Sequence, residues 1–316
     1  MYDVVALGEL LIDFTYAGSS EGGQKLFEQN PGGAPANLLT VITHMGYKAA
    51  MIAKVGDDMH GRFLIDTLRQ EKIDTNSVIV DKDYFTTLAF VAISPSGERE
   101  FSFSRKPGAD TMLREEEIDK SIITNTNIFH IGSLSLTSEP AKTTTYAAVK
   151  AAKQAGAVIS YDPNYRDSLW KDEATAVAEM KAMLEYADIV KVSDEEAYLL
   201  TGEKEPELAA DIILAKGPSV VAITLGADGV YVKGNGSSVT VPGYKVSAVD
   251  TTGAGDSFWG GFLSRLIESG KKVSSLTEAD LKSFATFGNA TASLCVQKRG
   301  GIPAIPYKAD VEQLIK

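Results

Sequence analysis

The chain has 316 residues, 44% of them hydrophobic, enough to bury a substantial core in one large α/β domain or two modest ones. Acidic residues outnumber basic ones by 42 to 31, a formal charge of −11, which argues against nucleic acid and anionic membrane as partners and leaves any anionic substrate to local donors. The one cysteine, Cys295, excludes an intramolecular disulfide and a thiolate metal cluster; residues 1–8 carry no basic leader and read as a strand, and no run is long enough to span a bilayer, so the cytoplasm is the expected location.

Strand-like and helical runs alternate along most of the chain. Residues 4–7, 50–55, 128–131, 158–162, 189–192 and 220–225 read as buried strands. Residues 36–45, 61–71, 141–155, 174–186 and 195–200 read as helices between them. This alternation predicts a parallel sheet covered on both faces. One stretch breaks the pattern. Residues 78–80, 87–94 and 100–104 read as successive strands, with a turn at 95–98. Together with part of 12–27 they predict a small antiparallel sheet, or lid, on the main layer. A hairpin is expected at 229–233 and 237–241, turned by 234–236, and a short helix at 309–315. Ligands of open parallel sheets sit beyond the carboxyl ends of the strands. Gly8-Glu9, Asp162-Pro163-Asn164-Tyr165-Arg166, Ser193-Asp194-Glu195-Glu196 and Gly226-Ala227-Asp228-Gly229 each follow a strand, so they converge on that edge.

The segment Asp250-Thr251-Thr252-Gly253-Ala254-Gly255-Asp256-Ser257-Phe258 is the most informative. Phe258, Trp259, Phe262, Leu263, Leu266 and Ile267 follow at helical spacing. A helix beginning at Gly253 aims free N–H groups and a positive dipole end outward, which is an anion site. Gly253 and Gly255 let a substrate approach the backbone. Asp256 then lies in the first turn, where it takes a proton from a nucleophile attacking the anion. A Gly-rich turn with Asp256 capping a helix is the plainer reading of the same residues. A second segment, Asn30-Pro31-Gly32-Gly33-Ala34-Pro35-Ala36-Asn37, also precedes an apolar helix, and Asn37 offers both donor and acceptor. Asp13 is suited to accept from vicinal hydroxyls. Together these residues describe a pocket for a polyhydroxylated ligand. Other chemistries lack their signatures. The stretch 56–63 lacks the Lys and Ser/Thr of a P-loop, and no G-x-G-x-x-G follows the first strand. His44, His60 and His130 make no zinc spacing, and no G-x-S-x-G elbow is present.

Over nearly its whole length the chain resembles the PfkB/ribokinase family of carbohydrate kinases. Residues 31–37 resemble the family's N-terminal signature and residues 250–256 its longer C-terminal one. The resemblance implies a single domain over 1–316 with a ribokinase-like fold. That fold is a three-layer α/β/α sandwich with a mostly parallel central sheet and a small β-sheet lid from parts of about 12–30 and 78–106. It implies transfer of the ATP γ-phosphoryl group to a primary sugar hydroxyl. Asp256 would be the general base, and the amides of Gly253, Ala254, Gly255 and Asp256 the anion hole. Asp13, Gly32, Gly33 and Asn37 resemble the sugar contacts. Thr224, Gly226 and Gly229 resemble the nucleotide loop, and Asn289 the adenine-side helix. Ser193 and Glu196 stand in an N-x-x-E motif, with Ser193 replacing the usual Asn, where Glu196 would organise water around Mg²⁺. Asp250 and Thr252 resemble a monovalent-cation loop completed by carbonyls near Cys295, Lys298 and Gly300. Ala304 stands where relatives often have Ser, which bears on potassium. Residues 99–110, with Phe103 and Arg105, resemble the lid-to-core segment of bacterial fructokinases. Residues 162–166, with Arg166, fit that branch and the 2-keto-3-deoxygluconate kinases alike. Fructose is the expected substrate, the keto acid the alternative. A catalytically silent sugar-binding regulator is the reading from another class. Lid strands of the family pair between subunits, so a homodimer through the lid is expected.

Overall fold

The computed structural model describes residues 1–93 and 99–316. In chain order the elements are β1 (Tyr2–Leu7), β2 (Leu11–Ser19), β3 (Lys25–Gly32), α1 (Ala34–His44), β4 (Ala49–Gly56), α2 (Met59–Gln70), β5 (Asp74–Asp81), β6 (Leu88–Ile93) and β7 (Arg99–Ser104). Then come α3 (Lys120–Thr124), β8 (Thr126–Ile131), α4 (Ala141–Gln154), β9 (Val158–Tyr161), α5 (Glu173–Leu184), β10 (Ile189–Ser193), α6 (Asp194–Thr201) and α7 (Pro206–Leu214). The chain closes with β11 (Val220–Thr224), β12 (Gly229–Gly234), β13 (Ser237–Pro242), α8 (Ala254–Ser269), α9 (Glu278–Cys295) and α10 (Lys308–Ile315).

Nine strands form one sheet in the order β13-β12-β11-β10-β9-β8-β1-β4-β5. From β11 to β5 the neighbours run parallel, and β12 with β13 closes the far end as an antiparallel hairpin. Its turn is Asn235-Gly236, both with positive φ (52° and 78°), as the tight hairpin requires. The central strand β1 shows why the sheet is covered twice. Val4, Val5, Ala6 and Leu7 are all fully buried. A strand sends alternate side chains to opposite faces, so an unbroken apolar run needs cover above and below. Val4 and Ala6 share a cluster with Leu38 and Leu39 of α1 and Trp259 and Phe262 of α8. Val5 and Leu7 share another with Val149 of α4, Met180 of α5 and Ile213 of α7. The result is the expected three-layer sandwich.

A second, four-stranded sheet has the order β3-β2-β6-β7. Among the described residues, parts of 12–30, 87–93 and 100–104 contribute to it as expected, but 78–80 does not. Those residues lie in β5, the edge strand of the large sheet, paired in parallel with β4 from Ile52↔Ser77 to Gly56↔Asp81. The amphipathic helix α2 provides the crossover that a parallel neighbour needs. Val78 is buried with Leu64 and Leu68 of that helix, whereas Val80 is 47% exposed, and this one-sided burial leaves only a short apolar run in the sequence. The turn expected at 95–98 lies outside the described residues.

The roots of the small sheet are pinned to the body. Asp58 caps α2 through the amides of His60 and Gly61 and also accepts from the amide and hydroxyl of Thr86 (2.8 and 2.9 Å). Thr87 Oγ1 donates to Asp110 Oδ1 at 2.5 Å, and Arg105 Nε donates to Asp110 Oδ2 at 2.7 Å. The start of β6 and the end of β7 are therefore tied to one buried carboxylate. Among the described residues, no helix is long and apolar enough to cross a membrane.

Candidate active site

A cavity of about 1080 Å³ lies at the carboxyl edge of the large sheet, beneath the small one. Asp256 forms part of its floor. It sits in the first turn of α8, whose N-cap, Gly253, has φ 75° and ψ 4°, a left-handed conformation that disfavours a Cβ. The first bond of the helical ladder runs from Ser257 N to Gly253 O at 2.8 Å. The amides of Gly255 and Asp256 precede that ladder and carry the positive end of the helix. The Ala254 amide, expected to join them, already donates to Thr251 O at 3.3 Å. The rest of α8 is anchored deep in the sheet. Trp259, one turn after Asp256, is fully buried, and its Nε1 donates to Ser160 Oγ at 2.8 Å. Ser160 Oγ also lies 3.0 Å from His130 Nδ1, and burial, with Lys191 nearby, pushes this histidine down to about 3, so it is neutral.

The carboxylate of Asp256 is held from two sides. Asn37 Nδ2 donates to Oδ2 at 2.8 Å, and Asn164 Nδ2 donates to Oδ1 at 3.2 Å. Burial is the main reason its pKa is raised to about 6; Asp162 adds to the rise, while Asn37, Lys191 and Arg166 oppose it. Lys191, from β10, supplies a buried cation beside the helix tip. Its Nζ lies 3.0 and 3.2 Å from the two oxygens of Asp162, which is also buried. A Cβ at Gly255 would come within 2.8 Å of that Nζ, so the glycine is what allows the ammonium to reach the tip. Lys191 was not singled out in the sequence, and Asp162 and Asn164 appeared there only as members of the 162–166 segment, with no role of their own. Their one signal there was position, since each lies at or just beyond a strand's carboxyl end.

Asp13 and Phe103 from the lid, with Gly33, Asn37 and Arg166 from the body, line the cavity. Burial raises Asp13 to about 6; Arg166 opposes the rise, and Asp256 and Asp250 add to it. Asn37 Oδ1 is buried without a protein partner. Gly32 does not line the cavity; a Cβ there would meet Asp13 Oδ2 at 2.2 Å, so it backs the carboxylate instead. Arg105 departs from expectation. Its guanidinium is buried, paired with Asp110, and donates to Thr137 Oγ1 and Leu134 O, both at 2.9 Å. Asp110, five residues on, pulls the side chain away from the cavity and into the lid root. Glu9, unassigned in the sequence reading, lines the cavity with 4% exposure and accepts from Ala34 N, the first amide of α1, at 3.1 Å.

On the other side lie Ser193, Glu196, Thr224 and Gly226. Ser193 caps α6 by accepting from Glu196 N at 3.1 Å, which shows how a serine serves at this position. Glu196 Oε2 in return accepts from Ser193 N (2.8 Å), and its Oε1 accepts from Tyr165 N (2.7 Å). Gly229 and Asn289 lie behind the cavity. A Cβ at Gly229 would meet Val241 O at 2.1 Å, and Asn289 Nδ2 donates to Val241 O and Pro242 O, both at 3.1 Å. Asn289 thus braces the hairpin from α9, and Gly229, the first residue of β12, lets the two strands close. Asp250 Oδ1 accepts from the amide and hydroxyl of Thr252 (2.9 and 2.8 Å), and its Oδ2 accepts from Gly300 N (3.0 Å). The two halves of the expected monovalent-cation loop are thus side by side. Among the described residues, no group of three or more His, Cys, Asp or Glu is placed to hold a metal ion, so a divalent ion would depend on phosphate and water oxygens as well as Glu196.

A helix tip, a buried carboxylate and a lysine ammonium meet beneath a lid on a doubly covered sheet, an arrangement that suits a phosphotransferase. The model of the pfkB family carbohydrate kinases matches residues 1–308, and the chain belongs to that family. It is 42% identical over 316 residues to a probable fructokinase-5 of Arabidopsis thaliana, covering 99% of this chain and 97% of the relative. Among solved structures, the fructokinase of Xylella fastidiosa with bound ATP superposes with a TM-score of 0.90 at 29% identity, covering 100% of this chain and 98% of that one. A double mutant of fructokinase from Vibrio cholerae O395, with fructose, ADP and a potassium ion bound, gives 0.89 at 30% identity, covering 100% and 99%. The architecture is accordingly ribokinase-like.

Proposed function

We propose that this chain transfers the γ-phosphoryl group of ATP to the primary 6-hydroxyl of D-fructose, with Asp256 as general base. The observation that carries this reading is the buried Asp256 carboxylate in the first turn of α8, beside two amides that precede the helical ladder. A carboxylate in that position is useful to a reaction in which a hydroxyl loses its proton as it attacks an anion. Asp13 and Asn37 Oδ1 accept from sugar hydroxyls, and Gly33 brings backbone close to the ring. Asp256 takes the proton of the attacking hydroxyl. The amides of Gly255 and Asp256, with the Lys191 ammonium, hold the charge of the transferred group. Thr224 and Gly226 would hold the nucleotide. Mg²⁺, held through water by Glu196, would supply charge neutralisation at the phosphates. Asp250 and Thr252 would order a monovalent cation, potassium, beside the same helix tip.

A neutral sugar is favoured over the keto acid. Of the two arginines that would hold a carboxylate, Arg105 is committed to Asp110, and Arg166 alone faces the cavity. The whole of the catalytic set is present, which disfavours a silent regulator. The chain works as one kinase unit with its lid, paired into a homodimer by that lid, in the cytoplasm. A panel of fructose, ribose, tagatose, adenosine and 2-keto-3-deoxygluconate with ATP and Mg²⁺, followed by ADP release, tests the assignment. Fructose should turn over fastest. Preference for another sugar overturns the substrate, and no turnover with any of them overturns the kinase reading.

A further inference from the structure

Asn164 stands in an unusual place. It has φ 46°, a left-handed backbone that asparagine tolerates better than most residues. The segment around it is fixed at both ends. Asn164 N donates to Asp162 Oδ1 at 3.2 Å, and Pro163 O accepts from Ser133 N at 3.0 Å. Asp162 in turn is held by Lys191. This bracket delivers one group to the cavity, the Asn164 amide, which donates to Asp256 Oδ1. Asn37, from the opposite side, has the other oxygen. The two amides together set the plane of the carboxylate.

We propose that Asn164 is a positioning residue for the base: with Asn37 it clamps the Asp256 carboxylate in its reactive plane and in its ionised form. The inference rests on Asp256 being the general base. The groups that face this carboxylate are Asp162 and Lys191 at the sheet edge, Arg166 on the following loop, Asp13 from the lid, Asn37 from α1 and Cys295 from α9. Asn164→Gly alters none of them and keeps the left-handed backbone. It removes a donor that favours the charged carboxylate, so the acid limb of the kcat profile should move to higher pH.

The test compares Asn164→Gly and Asn164→Asp with wild type, with thermal melts to confirm folding. Asn164→Gly should lower kcat by about 10- to 100-fold, the span of one hydrogen bond to a charged group. Its acid limb should rise, with the sugar KM little changed. Asn164→Asp keeps the shape but sets a second carboxylate against the first, and should lose more. Wild-type kcat with an unmoved limb in folded Asn164→Gly overturns the clamp. So does a raised sugar KM alone, which makes Asn164 a sugar ligand. Asp256→Asn, assayed in parallel, separates the two claims: if it retains turnover, the base assignment itself falls.

Discussion

Lys191 reaches the tip of α8 because residue 255 is a glycine and because Asp162 holds the ammonium there. A Cβ at 255 would crowd Nζ at 2.8 Å, so the ammonium, 3.0 Å from Asp162, would have to shift from its present place. Removing one partner of a buried ion pair leaves an uncompensated charge and costs about 3–5 kcal/mol. Lys191→Met should lose stability by that order in urea unfolding and should also lose turnover. Lys191→Met/Asp162→Leu removes both charges and should recover most of the stability without recovering kcat. Wild-type kcat in the double variant would show that the pair is scaffolding alone.

The acid side of the pH profile should carry two groups. Asp256 and Asp13 are both raised, mainly by burial, to about 6. A base must be ionised, and so must an acceptor of sugar hydroxyls, so activity falls as pH falls through about 6. For kcat/KM, which reports the free enzyme, both groups count, and the logarithmic slope should approach 2 below that pH. Asp13→Asn should reduce the slope to 1 while raising the sugar KM. Asp256→Asn should cut kcat by roughly 10²–10⁴-fold with sugar binding by calorimetry intact. A profile flat to pH 5 would mean that both carboxylates ionise well below the values their burial implies.

What could be read from the sequence was local chemistry. Gly253, Gly255 and Asp256 announce themselves because a helix tip, its glycines and its first-turn acid lie within a few residues. The parallel sheet was legible because β1 and its neighbours are apolar on both faces. Lys191 was hidden, because it is one polar residue within a strand; Glu9, Asp162 and Asn164 were legible only as members of segments that follow a strand, because a single polar residue there says little by itself. Its meaning depends on which strands become neighbours, and the crossovers decide that over long separations. Arg105 misled for the opposite reason. It lies beside a lid strand, where cations are ordinarily solvated, and only the fold shows Asp110 turned back to meet it.

Arg105 and Arg166 should therefore behave differently. Arg105→Gln strands Asp110 in a buried site that also anchors Thr87, and should destabilise by about 3–5 kcal/mol. Its sugar KM, measured on folded protein well below the melting point, should change little. Arg166→Ala should melt near wild type and raise the sugar KM, since this side chain lines the cavity and, among the described residues, its Nη1 donates to its neighbour's carbonyl, Tyr165 O. A selective KM effect at Arg105 would return it to the sugar site.

The outer face of the lid is aromatic. Phe90 stacks on Phe14 with centroids 5.2 Å apart and meets Phe27 edge-on at 5.9 Å. Tyr16, Phe27 and Phe90 are each more than a third exposed. Wild-type protein should sediment as a dimer at micromolar concentration, with the lid as the contact. Phe27→Glu should shift it to monomer, because a charge on an apolar contact is costly to desolvate. A monomeric wild type, or a Phe27→Glu dimer, would place any subunit contact elsewhere or nowhere.

Glu9 offers a test of the cavity's electrostatics by stability rather than rate. Burial raises it from 4.5 to about 7, Arg105 opposing. A raised carboxyl favours the folded state below its unfolded pKa, and that advantage is lost as pH climbs from 4.5 through about 7. Once ionised, the buried group should cost about 3 kcal/mol. Glu9→Gln keeps an oxygen to accept from Ala34 N and does not titrate. The variant should melt with wild type near pH 4.5 and increasingly above it as pH rises, by roughly 4–5 °C at pH 8 for a chain of this size. Glu9→Ala removes the cap as well, and should lie about 1 kcal/mol below Glu9→Gln at every pH. A pH-independent gap between Glu9→Gln and wild type would mean that the carboxylate is better solvated than its burial implies.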